Sequence, residues 1–127
     1  SVFDADLHGI DLHGIVLPNF SCSGCNLTGT NLTGADLHGG AFTDSLSGAN
    51  LTNANLSGAH IDGAMQHAII AGTNLTDAAF GWVDMTGSTG VPIYTGVDFS
   101  RTTCPDGQAA TEPAGGGPVS CKGHPWP

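Results

Sequence analysis

Positive charge is almost missing from this chain of 127 residues: Arg101 and Lys122 are its only fixed cations, against eleven acidic residues, for a formal net charge of −9. That balance argues against nucleic acid or an anionic membrane surface as a partner, because both are bound by clustered lysine and arginine. Charged residues of either sign make up 10% of the chain, well below the roughly 25% of ordinary globular proteins. Aromatic residues make up 6%, too few for a thick layered core. No apolar run approaches the roughly 20 residues of a membrane span, and no charged stretch followed by an apolar one opens the chain. Opening on Ser1 rather than Met, the chain is expected to be a processed, mature product.

What is abundant is a five-residue beat. Ala5-Asp6-Leu7-His8-Gly9, Thr30-Asn31-Leu32-Thr33-Gly34, Ala35-Asp36-Leu37-His38-Gly39 and Ala54-Asn55-Leu56-Ser57-Gly58 all follow one formula. In an α-helix a period of five steps each leucine about 140° around the axis, so no apolar face forms. In short strands the small residue and the leucine two places later share a face, while the Asp or Asn between them points away and the trailing Gly permits a turn. The beat therefore predicts an all-β fold with inward centres at Val2, Leu7, Leu12, Leu17, Cys22, Leu27, Leu32, Leu37, Phe42, Leu46, Leu51, Leu56, Ile61, Gln66, Ile70, Leu75, Phe80 and Met85. Two steps, Phe42 to Leu46 and Gln66 to Ile70, are four residues long, and a tightened corner is expected at each. The beat blurs after Met85, recovers toward Phe99 and is expected to end at Arg101, leaving residues 1–101 as repeats and 102–127 as an irregular tail rich in Pro and Gly.

The four cysteines fall in two pairs. The sixteen residues between Cys104 and Cys121 suit a disulfide clamping a loop, which implies an oxidising compartment and makes secretion the expected localisation. Cys22 and Cys25 both occupy inward slots, so packed thiols or a local buried disulfide are expected there, and the redox or zinc reading of CxxC lacks an electropositive helix end and two further ligands.

These units resemble the pentapeptide-repeat family: a small residue, Asp or Asn, Leu or Phe, a polar residue and Gly. The resemblance covers about residues 1–101, and the stretch Cys104-Pro105-Asp106-Gly107 closing at Cys121 is similar to a terminus found in exported bacterial members. It implies a right-handed quadrilateral β-helix of about five coils, with four pentapeptides per coil and a disulfide-clamped tail. It also implies one alternative role, an acidic DNA-mimicking rod bound to a type II topoisomerase.

No catalytic constellation emerges. His8, His13 and His38 recur in a slot that Thr and Ser fill elsewhere, so they read as solvent-facing decoration, and no trio is expected to converge on a metal. His60, His67 and His124 add none. Asp6, Asp11, Asp36 and Asp84 alternate with Asn in the slot before the centre and read as a surface ladder whose side chains bond nearby backbone. General acid–base chemistry requires a cleft that shifts pKa values, and no phosphate loop is present. The chain is thus expected to be non-enzymatic and without cofactor. Six Asn-X-Ser/Thr triplets, at Asn19, Asn26, Asn31, Asn50, Asn55 and Asn74, read as by-products of the repeat, while Thr111 to Ser120 has the composition of an O-glycosylated stretch.

With Val2 already in register, the first coil is expected to present an uncapped β-edge at Val2, Phe3, Asp4 and Leu7, a template for pairing with another copy. Contact between unlike ends builds filaments, so head-to-tail self-association into an extracellular structural protein is the leading expectation. Recognition of ice or a polysaccharide by a threonine face is a third, weakened by the mixed rows His8, Thr28, Ser47, His67, Thr86 and His13, Thr33, Thr52, Ala71.

Overall fold

The computed structural model describes residues 1–111 and Cys121. Six short strands, β1 (Val2–Phe3), β2 (Ser21–Ser23), β3 (Ala41–Phe42), β4 (His60–Ala64), β5 (Ala79–Asp84) and β6 (Thr102–Thr103), pair in chain order in one parallel sheet. They stack one face of a solenoid. The other three faces are tied by parallel single-residue bridges, such as Asp6 with Asn26, Asp11 with Asn31 and Val16 with Asp36. The inward residues consequently form four columns, headed by Val2, Leu7, Leu12 and Leu17, and the chain makes about five turns.

Each coil is held by backbone bonds in both directions. Leu32 N donates to Asn50 O at 2.8 Å, while Asn50 N donates back to Thr30 O at 3.0 Å. Corners close on themselves: Ala35 N donates to Leu32 O at 3.0 Å across Gly34, whose φ of +65° is the left-handed conformation this turn demands at its third residue. Inside, Leu32, Leu37, Leu51, Leu56, Ile61, Ile70, Leu75 and Met85 are buried, with Ala35, Ala49, Ala54 and Ala59 filling the small slots. Leu27, Phe42 and Leu46 are buried as well, and Phe80 is half-buried and packs edge-on to the buried Phe99 at 5.5 Å between ring centroids. Where Thr30 and Thr73 replace alanine, their hydroxyls donate to Leu7 O and Leu51 O on the preceding coil, each at 2.7 Å, so the buried oxygens are satisfied.

Four expectations change. Gln66 is not an inward centre: Met65 is fully buried in that column, and Gln66 lies outside with Nε2 donating to Asp84 Oδ2 at 2.6 Å. The second tightened corner accordingly runs from Ile61 to Met65, directly above Phe42 to Leu46, and the register shift between Ile61 and Gly63 marks it. Val2 pairs with Cys22 and Cys22 with Phe42, whereas Phe42 pairs with Ile61 and Ile61 with Phe80, so 20-residue coils give way to 19-residue ones. The same displacement moves His67 out of the row after the centres, which reads His8, Thr28, Ser47, Gln66, Thr86. Finally, the ladder does not stop at Arg101: β6 pairs with Val83 and Asp84, and Met85 N donates to Thr103 O at 2.9 Å. The remainder of the expected tail, 112–120 and 122–127, lies outside the described residues, as does the O-glycosylation reading apart from Thr111.

Five corners carry a side chain where glycine is usual: Asp4, Asn19, Asn53, His67 and Asp77 all hold positive φ. On the coil above each stands a glycine (Gly24, Gly39, Gly72, Gly87 and Gly96 respectively), and a Cβ built there would overlap the side chain below. Stacked coils are thus fitted to one another at their corners.

Candidate functional site

The N-terminal end of the solenoid interrupts its otherwise regular surface. Coil 1 has a neighbour on one side only within residues 1–111, and its interior opens as a cavity of about 240 Å³. Val2, Leu7, Leu12, Ile15, Leu17 and Phe20 form the wall, with Leu27, Leu32, Leu37 and Phe42 beneath. Leu7, Leu12 and Leu17 are therefore half-buried although they belong to the same columns as the fully covered inner leucines. Among the described residues, eight large hydrophobic side chains are exposed, and Val2, Phe3, Ile10 and Val16 of coil 1 are half of them. Phe3 is 72% and Val16 66% exposed. Asp4, the next member of the expected edge, is exposed at a corner and donates its N–H to Ser23 O at 2.9 Å. Since coil 2 bonds coil 1 through Asn26 N to Ala5 O and Leu7 N to Asn26 O, the repeat geometry turns the N–H and C=O of Asp6 and Asp11 away from coil 2.

The rim of this mouth is acidic. Asp6 Oδ1 lies 2.7 Å from His8 Nδ1 and Asp11 Oδ1 2.9 Å from His13 Nδ1, and a third such pair, Asp36 with His38, repeats on coil 2 at 2.7 Å. The hydrogen bonds from His8, His13 and His38 hold the three carboxyls below the ordinary aspartate range. Asn26 and Asn31 donate to Asp6 and Asp11 at 3.2 and 3.0 Å, and Asn55 donates to Asp36 at 3.1 Å. Backbone N–H groups two residues on bond the same oxygens, at His13 N to Asp11 for example, so the ladder closes corners. Burial alone would raise Asp84, and bonds from Thr86 and Gln66 outweigh it, leaving the carboxyl lowered. Four of the six glycosylation triplets, at Asn26, Asn31, Asn55 and Asn74, use the amide nitrogen in this ladder, where a sugar would displace it. Among the described residues no three His, Cys, Asp or Glu side chains come together as a metal site, and no helix is long and apolar enough to cross a membrane.

At the other end the chain folds back. Thr103 and Ala109 form an antiparallel bridge, Cys104 N donates to Gln108 O at 2.7 Å, and Ala110 N donates to Thr102 O at 3.0 Å. Cys104 is disulfide-bonded to Cys121, and both are fully buried. The second pair is bonded too: Cys22–Cys25 lies inside the corner between the first two faces of coil 2. On the strand face, Arg101 stacks 5.9 Å from the ring centre of Trp82, itself 72% exposed, and Trp82 N donates to Asp62 Oδ1 at 3.0 Å.

Reading the repeat alone identifies the residues of the first coil but not the cavity between them, because half-burial depends on what lies beyond the coil. A usable signal for Met65 was present: it stands 19 residues after Leu46, the same spacing that separates Phe42 from Ile61.

Comparison with known proteins agrees with this geometry. The family described as pentapeptide repeats matches residues 5–44 in 8 copies. Among solved structures, a pentapeptide repeat protein (Rfr23) from the cyanobacterium Cyanothece 51142 superposes with a TM-score of 0.62 at 21% identity, over 79% of this chain and 88% of that one. A trypsin-treated form of QnrB1, a plasmid-mediated fluoroquinolone resistance protein, matches at 20% identity over 79% of this chain and 56% of that chain, TM-score 0.47. A thylakoid-lumen pentapeptide repeat protein of Arabidopsis thaliana matches at 23% identity over 78% and 68% of the two chains, TM-score 0.36. No curated protein sequence matches. Residues 5–44 match the pentapeptide-repeat model, and the chain shares its solenoid fold with the cyanobacterial repeat protein.

Proposed function

We propose, from the premise of that shared solenoid fold, that the chain is a non-enzymatic scaffold exported to an oxidising compartment, where it associates end to end through the open coil at residues 2–20. The open mouth carries the reading. Leu7, Leu12 and Leu17 are half-buried while inner members of their columns are covered, so a partner at this end buries apolar wall and pairs a free β-edge in one contact. Two disulfides support export. The non-enzymatic part rests on the ladder: the lowered aspartates are spent on corner hydrogen bonds, and the cavity at the mouth is lined by apolar side chains.

Electron microscopy of the oxidised protein over a concentration series tests this. Strings of rods with an axial repeat near 25 Å, about five coils at strand spacing, are the expected result. Isolated rods at every concentration overturn it, and capture of a type II topoisomerase by those rods would move the assignment to the acidic-rod role.

A further inference from the structure

We infer that the strand face carries a sugar-binding subsite, in which the indole of Trp82 is the platform for one pyranose ring of a neutral saccharide and Arg101 and Asp62 bond its hydroxyls. The site is independent of end-to-end association. It also lies apart from the mixed threonine rows, on β4, β5 and the turn into β6.

A β-bulge creates it. Ile61 pairs with Phe80 and Gly63 with Val83, so the single residue Asp62 of β4 faces two residues of β5, Gly81 and Trp82. Such a bulge leaves one residue out of the ladder and re-aims a side chain. Asp62 fixes the result: its Oδ1 accepts the N–H of Trp82 at 3.0 Å, and a Cβ at Gly81 would overlap its carboxyl, which therefore lies against the backbone of the bulge. The indole stands off the rod, 72% exposed, in a repeat that fills its outward slots chiefly with Asp, Asn, Ser and Thr. On the next rung Val83 pairs with Thr102, which brings Arg101 beside the ring, its guanidinium 5.9 Å from the centre. Arg101 is the only fixed cation among the described residues, and it forms no ion pair with a carboxylate among them, which leaves its forked donors for a ligand.

Chemistry selects the class of ligand. An indole offers a flat apolar face with a negative centre, which suits the weakly positive C–H face of a pyranose. On one side of it stands a carboxylate that only accepts hydrogen bonds, on the other a guanidinium that only donates them, and sugar hydroxyls do both. Asp62 and Arg101 are two rungs apart, about 10 Å with the ring between them, which is room for one sugar unit. A cationic ligand would meet Arg101 already at the ring. A polyanion would meet Asp62, Asp84 and Asp98 on the same coils, three acids against one guanidinium.

Titration of the oxidised full chain with cellohexaose, chitohexaose and maltohexaose tests the subsite, by calorimetry on the parent and by tryptophan emission in a Trp126→Phe background, where Trp82 is the one remaining indole. The expected result is saturable binding of at least one hexamer with a change in Trp82 emission. Binding should be at least tenfold weaker in Trp82→Ala and several-fold weaker in Arg101→Gln, with the β circular dichroism of both matching the parent. Failure of all three hexamers to bind overturns the inference, and so does a hexamer that binds Trp82→Ala as tightly as the parent. Polygalacturonate is the anionic comparison, and tighter binding of it than of the neutral hexamers overturns the assigned class.

Discussion

Val2 and Phe99 head and close the same inward column, yet Val2 is 37% exposed and Phe99 1% exposed. The pentapeptide rule treats them alike. What separates them within residues 1–111 is the material beyond: at Phe99 the chain folds back on itself through Cys104 to Ala110 and is pinned to Cys121, whereas Val2 pairs with Cys22 on one side. A repeat specifies its own cross-section and the fit to the next coil, but not how a stack is finished. Closure is supplied by residues that break the repeat.

The sharpest test of that difference is a charge placed in each region. Leu51→Asp buries an unpaired carboxylate in a fully covered inner coil and should cost several kcal/mol, whereas Leu12→Asp, on the half-open wall of the mouth, should cost about 1 kcal/mol. Urea midpoints of the two variants decide it, and equal losses would mean that the mouth is closed in solution. The next effect is that of the two disulfides. Loop closure assigns about 3 kcal/mol to Cys104–Cys121, 17 residues apart, and about 2 kcal/mol to Cys22–Cys25, 3 apart. Replacing Cys104 and Cys121 with Ser should remove amide protection from β6 and the fold-back and leave the coils around Leu32 and Leu51 protected.

Acid should act on both ends. The lowered carboxyls of Asp6, Asp11 and Asp36, bonded by His8, His13 and His38, lie in coils 1 and 2. A carboxyl whose pKa falls on folding stabilises the fold above its unfolded value, and that contribution is lost as pH drops through about 4 and below. Asp84 and Asp98, near the other end, are lowered as well, so the thermal midpoint of the whole rod should fall on acidification from about pH 6 to pH 3, and an unchanged midpoint would contradict the assignment. The smallest effect belongs to Ser88, fully buried in a small slot with its hydroxyl unpaired among the described residues. Ser88→Ala, matching Ala68 one coil below, should raise stability by about 1 kcal/mol in thermal melts.

The four-sided section was readable from the chain because every inward slot recurs at a fixed interval and its occupants are chosen by size. Leu32 and Ala35 announce their burial through their types. Gln66 misled because counting by fives hid a deletion, and only the alignment of whole coils places Met65 above Leu46 in the same column. The disulfide at Cys22 and Cys25 stayed open because two inward thiols pack as readily as they bond. The mouth was legible as an edge of exposed backbone. Its cavity was not, since a void depends on the angle at which Leu7, Leu12 and Leu17 lean over the coil beneath.

The side chains at Asp4, Asn19, Asn53, His67 and Asp77, each facing a glycine on the following coil, bear on how such a gene can grow. Tandem duplication of the single coil that holds Asn53 would set one Asn53 beneath its own copy, in the place that Gly72 now leaves empty. Duplication of a coil with such a corner is thus penalised by overlap, while the coil with glycine at Gly24, Gly29, Gly34 and Gly39 meets none of it. The rod carries in its corners a record of which coils can be neighbours, and its length is free to change only by steps that respect that record.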